Sequence, residues 1–213
     1  MTPFAVALAV AGFVLGVAAD RLATRWPEHD EGFLAGRSIS WRTAVCALFG
    51  AFAFAVLASR FEGDPLALGV FGAWFATLVV GLATDLDQRL LPDILTLPVI
   101  PIALVYDLTG RNPLVGGEVL PAVLIALVIP TLLYIGSLPF AAGAFGIGDV
   151  KLLGGVGLML GFIRTITGVA SGAFAAGIVL AVLLVTRRIT LKAYVPYGPF
   201  LIFGAVWAIF VRA

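Results

Sequence analysis

Long apolar runs separated by short polar segments dominate the chain. The runs cover residues 3–19, 43–59, 66–84, 94–106, 119–140, 150–162, 165–185 and 197–211. The longer ones reach the roughly 17 to 25 residues that an α-helix needs to cross a bilayer. Because every backbone polar group in lipid needs a partner within the protein, such runs form helices. The pattern predicts an all-α fold, a polytopic transmembrane helical bundle of about eight spans.

Several positions interrupt or shape these runs. Pro98 and Pro101 lie inside the fourth run, which predicts kinking or partial unwinding there. Arg164 separates the sixth run from the seventh. Small residues let helices approach closely, and we expect close packing at two places. One is Gly12 and Gly16 in the first run, and the other is the glycine-rich face of the sixth run, formed by Gly154, Gly155, Gly157 and Gly161.

A single long polar segment, residues 20–42, follows the first run. It is too short and too poor in apolar residues to fold as an independent domain. The first run lacks the basic start and the cleavage site of a signal peptide, so we interpret it as a retained helix. This divides the chain into residues 1–42, a first helix with a short cytoplasmic loop, and residues 43–213, a membrane-embedded domain.

The distribution of basic residues predicts the orientation of the bundle, since cytoplasmic loops carry an excess of Lys and Arg. With the amino terminus outside, the inner loops hold nine basic residues and the outer loops hold four. The inner set is Arg21, Arg25, Arg37, Arg42, Arg89, Lys151, Arg187, Arg188 and Lys192; the outer set is Arg60, Arg111, Arg164 and Arg212. We therefore predict an outside amino terminus.

Composition supports the same class of protein. Of the 213 residues, 62% are hydrophobic and 12% are charged, about half the charged fraction of a soluble domain. A net charge of +1 offers no extended basic surface for nucleic acid. The single cysteine, Cys46, excludes an intramolecular disulfide and a multi-cysteine metal site, and the single histidine, His29, lies in a polar loop. We expect neither a metal nor an organic cofactor.

Two acidic residues at the ends of apolar runs are the candidate chemistry. Asp85 ends the third run, and Asp149 closes the sequence Gly-Ile-Gly-Asp at residues 146–149. A carboxylate beside a membrane span is costly to keep and is by default functional. Two neighbouring carboxyls share one proton, so one can activate a water while the other donates a hydrogen bond. Gly146 and Gly148 let the backbone or a bound peptide approach this site.

The combined motifs resemble the type IV prepilin peptidase family, the GxGD membrane aspartic proteases. The resemblance rests on residues 85–98, 146–153 and 196–200, in the family's order, and covers roughly residues 43–213. It implies that Asp85 and Asp149 are the catalytic aspartates, with Pro92, Asp93, Gly146, Gly148 and Lys151 as supporting motif residues. It also implies a prepilin or pseudopilin substrate, cleaved at the cytoplasmic face of a bacterial inner membrane just before its hydrophobic helix, with lipid as the other partner.

The amino-terminal part departs from that family. Many bacterial members insert a cytoplasmic domain with two CxxC pairs, a region linked to methylation of the new amino terminus. Segment 20–42 contains no cysteine. The resemblance therefore supports peptidase activity and puts methyltransferase activity in doubt, and it leaves the oligomeric state open.

Neighbouring charges have simpler interpretations. Asp87 is expected to be solvated or to pair with Arg89, and Asp93 is expected to cap the fourth helix. Lys151 either tunes the aspartate pair or marks the inner interface.

Three other functions fit parts of the pattern. One is a proton-coupled transporter that uses the same acids as a relay, and another is a pilus-assembly protein that has lost catalysis. A presenilin-like intramembrane protease shares the GxGD element, but the Leu-Pro-Asp context at residues 91–93 favours the prepilin type.

Overall fold

A computed structural model describes residues 2–27, 39–138, 145–190 and 197–210. Within these residues the secondary structure is helical, with no strand. The helices are α1 (Pro3–Ala23), α2 (Trp41–Phe61), α3 (Pro65–Gln88), α4 (Asp93–Thr96), α5 (Val99–Leu108), α6 (Val119–Ser137), α7 (Ile147–Val185) and α8 (Gly198–Trp207), followed by a short 3-10 turn. The expectations for His29, Arg37, Lys192, Pro196 and the 139–144 stretch lie outside the described residues.

Five of these helices, α1, α2, α3, α6 and α7, are long and apolar enough to cross a membrane. Their outer faces carry large apolar side chains such as Leu127, Leu132 and Phe174, each more than half exposed. In water such surfaces would favour association, whereas lipid tails solvate them. The protein is therefore an all-α, membrane-spanning helical bundle, as the pattern of apolar runs predicts. The count of eight spans and the outside amino terminus stay predictions.

The fourth apolar run is divided between two short helices. α4 ends at Thr96, and α5 begins after Pro98 and continues for 10 residues. At 1.5 Å per residue α5 is about 15 Å long, roughly half the hydrocarbon thickness of a bilayer. The predicted interruption of this run at Pro98 is confirmed, whereas Pro101 lies in the first turn of α5 and does not interrupt it.

The break in the last long helix lies at a different residue from the one expected. α7 extends through Arg164, and its non-helical residue is Gly161, with φ 74 and ψ −175. Glycine adopts this conformation readily because it has no Cβ, whereas a charged side chain does not by itself end a helix. The predicted interruption at Arg164 is therefore wrong by three residues.

Glycines bring several helix pairs into backbone contact. A Cβ placed on Gly12 of α1 would overlap the carbonyl oxygen of Gly50 of α2. On Gly157 of α7 it would lie 2.5 Å from Cα of Ala126 of α6. Neither site has room for a methyl group, so the close packing predicted for these glycines is confirmed.

A polar brace fixes the end of α3 against α1 and α2. Arg42 contacts the Asp87 carboxylate, and its Nη1 also donates to the carbonyl oxygen of Leu86 at 3.3 Å. Gln88 Nε2 donates to the carbonyl oxygen of Ala23 at 3.0 Å. The Asp87 side chain is 8% exposed, so the expectation of a solvated residue is wrong. The brace holds the helix end that carries Asp85.

Candidate active site

A pocket of about 440 Å³ opens where the end of α3, the start of α7 and the start of α8 meet. Asp85 and Asp149 both line it, although they lie far apart in the sequence. Its lining also includes Arg89, Leu90, Leu91, Asp93, Gly146, Ile147, Gly148, Lys151 and Tyr197. The structure thus brings together both predicted catalytic residues and four of the five supporting residues. Pro92 lies beside the pocket, at the N-cap of α4.

Asp85 is held near the end of α3 by the burial of the turns before it. Leu82, Ala83 and Thr84 are each at most 3% exposed, and Asp85 itself is 5% exposed. Its Oδ2 atom is buried and accepts no hydrogen bond from the described part of the chain. A buried carboxyl oxygen without a partner is costly, and such groups concentrate at functional sites.

The chain reverses directly after α3 and brings a second segment to the pocket. Arg89 adopts a left-handed conformation, with φ 56 and ψ 39, and its backbone N–H donates to the carbonyl oxygen of Asp85 at 2.9 Å. This is the usual geometry of a helix C-terminal cap, although glycine is more common there. Leu91 follows and is 6% exposed.

Asp149 is placed by the first turn of α7. Gly146 occupies the N-cap position, and its backbone N–H donates to Asp149 Oδ2 at 3.1 Å. One carboxylate oxygen therefore satisfies a helix-terminal donor and orients the side chain. Gly148 lies against Leu91, since an added Cβ would approach the Leu91 Cβ at 3.1 Å and its carbonyl oxygen at 3.3 Å. This contact packs the two acidic segments together.

The supporting charges form a pair at the pocket. Lys151 Nζ donates to Asp93 Oδ1 at 2.6 Å, with side-chain exposures of 26% and 60%. Asp93 is the first residue of α4, while Pro92 holds the N-cap position without a side-chain bond. The expected capping role of Asp93 is therefore wrong, because its carboxylate binds the lysine of α7 instead.

Two residues at the start of α8 received no individual role from the sequence. A Cβ on Gly198 would lie 2.7 Å from Asp85 Oδ2 and 2.9 Å from its Cγ. The ring of Tyr197 packs edge-on against Phe145, with centroids 6.5 Å apart, and so connects α8 to the segment before Asp149. Tyr197 and Gly198 belong to the motif at residues 196–200. The sequence alone does not show that they contact Phe145 and Asp85; the tertiary structure does.

The site therefore holds two carboxyl groups in one pocket at the end of a membrane bundle. The described residues contain no group of three or more His, Cys, Asp or Glu side chains placed to bind a metal. Paired carboxyls are sufficient for proton transfer to and from a water, which is general acid–base catalysis. Fold and site define a polytopic membrane protein with a two-carboxylate pocket.

Comparison with known proteins gives the family. The Type IV leader peptidase family matches residues 70–186, more than half of the chain, including both aspartates. The chain belongs to this family.

Curated relatives extend the match. The chain is 31% identical over 179 residues to the "Type 4 prepilin-like proteins leader peptide-processing enzyme" of Escherichia coli, covering 82% of this chain and 63% of that protein. It is 31% identical to the "Prepilin leader peptidase/N-methyltransferase" of Burkholderia pseudomallei, over 83% of this chain and 59% of that protein. The chain thus spans about 60% of the length of these relatives. No solved structure gives a significant match.

Proposed function

We propose that this protein is a membrane aspartic endopeptidase that removes the leader peptide of type IV prepilins or prepilin-like secretion proteins. The observation that carries the proposal is the shared pocket of Asp85 and Asp149. The family match and the names of the relatives support the substrate class.

The proposed reaction needs only a water and the two carboxyls. One carboxylate takes a proton from the water, whose oxygen attacks the scissile carbonyl carbon. The other carboxyl donates a hydrogen bond to the developing oxyanion, which stabilises the tetrahedral intermediate. When the C–N bond breaks, the leaving nitrogen takes a proton from the carboxyl group that received it from the water. Both carboxyl groups thereby return to their starting state. No covalent intermediate with the protein forms.

The surroundings suit a peptide substrate. Gly146 and Gly148 line the pocket with little bulk, so an extended backbone can approach Asp149. A single methyl group at Gly146 would still make only an ordinary contact with Asp149 Oδ2. Arg89, Asp93 and Lys151 supply charges to the same pocket. We propose that cleavage takes place at the cytoplasmic face of the inner membrane. Methylation of the product amine by this chain is in doubt, because residues 20–42 contain no cysteine.

Intact-mass analysis of a co-expressed prepilin tests the proposal. We expect wild-type protein to remove the leader mass, and Asp85→Asn and Asp149→Asn each to abolish the removal. Amide side chains keep the size of the carboxyls but cannot act as the base. A methyl increment on the product would show that this chain also methylates the new amino terminus.

Asp64→Asn is a matched control for these two variants. Asp64 caps the opposite end of α3, where its side chain accepts from the backbone N–H of Ala67 at 3.0 Å. Asparagine caps a helix as well as aspartate, so we expect this variant to retain processing. Equal processing by wild type, Asp85→Asn and Asp149→Asn would contradict the catalytic role of the two aspartates.

A further inference from the structure

The break in α7 separates the half-helix that carries Asp149 from the half-helix that packs against α8. The first half lies against α6 through Gly157. On the second half, a Cβ added to Gly172 would lie 2.5 Å from the carbonyl oxygen of Phe200, near the start of α8. Since α8 begins against Asp85, the break lies between the part of α7 that carries Asp149 and the part that packs, through α8, against Asp85.

A loop between α5 and α6 connects the two halves of α7. Asn112 Nδ2 donates to the carbonyl oxygen of Met159, in the first half, at 3.2 Å. Arg164 Nη1, in the second half, donates to the carbonyl oxygen of Leu114 at 2.6 Å. The backbone N–H of Leu114 donates to Asn112 Oδ1 at 2.9 Å, which closes the connection within the loop.

These polar groups are buried, which makes their bonds hard to replace. Asn112 and Asp107 are each 1% exposed and Arg164 is 7% exposed. Asn112 Nδ2 also donates to Asp107 Oδ1 at 2.7 Å. A polar group that loses its partner away from water costs more than the bond itself contributes. The cluster of Asp107, Asn112, Leu114 and Arg164 is therefore a fixed joint.

Backbone chemistry explains why a joint is needed here. A break disturbs the ladder of intrahelical bonds, and no water within a bilayer replaces a lost donor. Thr165 Oγ1 donates to the carbonyl oxygen of Gly161 at 2.6 Å, and Asn112 Nδ2 donates to the carbonyl oxygen of Met159, two residues before Gly161. The loop also packs on Gly161 itself, where an added Cβ would lie 3.4 Å from Val115 Cγ2.

We infer that Asn112 and Arg164 are positioning residues that fix the angle between the halves of α7 and thereby the approach of Asp149 to Asp85. The inference rests on the proposed peptidase function. Met159 lies about 15 Å along the helix from Asp149 at 1.5 Å per residue. The joint therefore acts through the rigid half-helix and does not touch substrate.

Kinetics of Asn112→Leu test the inference. A small misplacement of catalytic groups costs about 10²-fold in rate. We expect kcat per folded molecule to fall to that extent, while KM changes less, because every side chain that lines the pocket is retained. Arg164→Met removes the hydrogen bond on the other side of the break and should likewise lower kcat more than it changes KM. This variant replaces Asn112→Leu in the test if Asn112→Leu does not fold.

Thr43→Val is the matched control for the loss of a buried hydrogen bond. Thr43 Oγ1 donates to Asp20 Oδ2 at 2.6 Å, and both residues are at most 4% exposed. This bond joins α1 to α2, away from α7. We expect Thr43→Val to lower the unfolding temperature while keeping kcat. An equal loss of kcat in Asn112→Leu and Thr43→Val would mean that Asn112 acts only through the general stability of the protein, which would overturn the inference.

Distances across the break give a readout that is independent of activity. Spin labels at positions 147 and 174, both exposed in the wild type, can be placed in a Cys46→Ala background, since Cys46 is the single cysteine. We expect Asn112→Leu to shift or broaden the label–label distance distribution, and Thr43→Val to leave it unchanged. An unchanged distribution in Asn112→Leu would overturn the inference. Failure of wild type to cleave prepilin would instead overturn the proposed function alone.

Discussion

Gly198 lies directly against the carboxyl group of Asp85. A Cβ at position 198 would approach Asp85 Oδ2 at 2.7 Å, closer than carbon and oxygen tolerate without movement. Asp85 is 5% exposed and also lines the pocket, so a methyl group at position 198 would displace its carboxyl from the present position. The start of α8 thus sets the position of a carboxyl that α3 supplies.

Gly198→Ala is expected to lower the rate of leader cleavage by about 10²-fold, the scale of a misplacement of about 1 Å. The methyl group forces either the Asp85 side chain or α8 to move. Gly177→Ala is the matched control, because it also lies in a helix and has no neighbouring atom within 4 Å of an added Cβ. Rates should be compared at equal amounts of folded protein. Full activity of Gly198→Ala would contradict the assigned contact.

The two glycines before Asp149 are expected to differ in their tolerance of alanine. At Gly146 the nearest atom to an added Cβ is Asp149 Oδ2 at 3.5 Å, an ordinary contact, and alanine keeps the N–H that binds Asp149. At Gly148 an added Cβ meets Leu91 at 3.1 Å.

We therefore expect Gly146→Ala to retain cleavage and Gly148→Ala to lose about tenfold in rate, or about 1.4 kcal/mol in the barrier. Initial rates of leader removal measure both. The reverse order of sensitivity would show that the Gly148–Leu91 contact does not hold the acidic segments in place.

Arg42→Met is expected to destabilise the protein by about 2 kcal/mol, because it removes the cation from a carboxylate whose side chain is 8% exposed. The exposed Arg25 provides the matched control, Arg25→Met, which should change stability little. Adding Asp87→Leu to Arg42→Met should recover part of the loss, since a buried carboxylate is then no longer present. Thermal unfolding in detergent measures all three. No recovery in the double variant would argue against the ion pair as the cause.

The Lys151–Asp93 pair is expected to contribute less than about 1 kcal/mol to stability, despite its 2.6 Å contact. Asp93 is 60% exposed, so water and ions screen the attraction. A double-mutant cycle of Lys151→Met and Asp93→Asn measures the coupling. A coupling energy well above 1 kcal/mol would mean that the pair is a structural anchor of α4 on α7.

Much of this protein can be predicted from the order of its residues. The apolar runs determine the helices, because backbone in lipid has no other way to satisfy its polar groups. They also place Asp85 and Asp149 at helix ends, where a charged group remains near water. Glycine spacing predicts close helix contacts such as Gly12 with Gly50, since the absence of a side chain is a local property.

Other features depend on which helices become neighbours. The sequence places a break at Arg164, whereas the structure places it at Gly161, where the 112–115 loop packs and supplies hydrogen bonds. Asp93 looks like a cap by its position after Pro92, but its carboxylate binds the lysine one turn into α7.

The same holds for the partners of the buried charges. Asp87 binds Arg42 across a helix interface, and Gly198 acquires its importance only because α8 begins against Asp85. The sequence by itself determined the helices and the two acidic ends. The tertiary structure decided which groups meet them, because a side chain's partner and the space around it are set by residues distant in the chain.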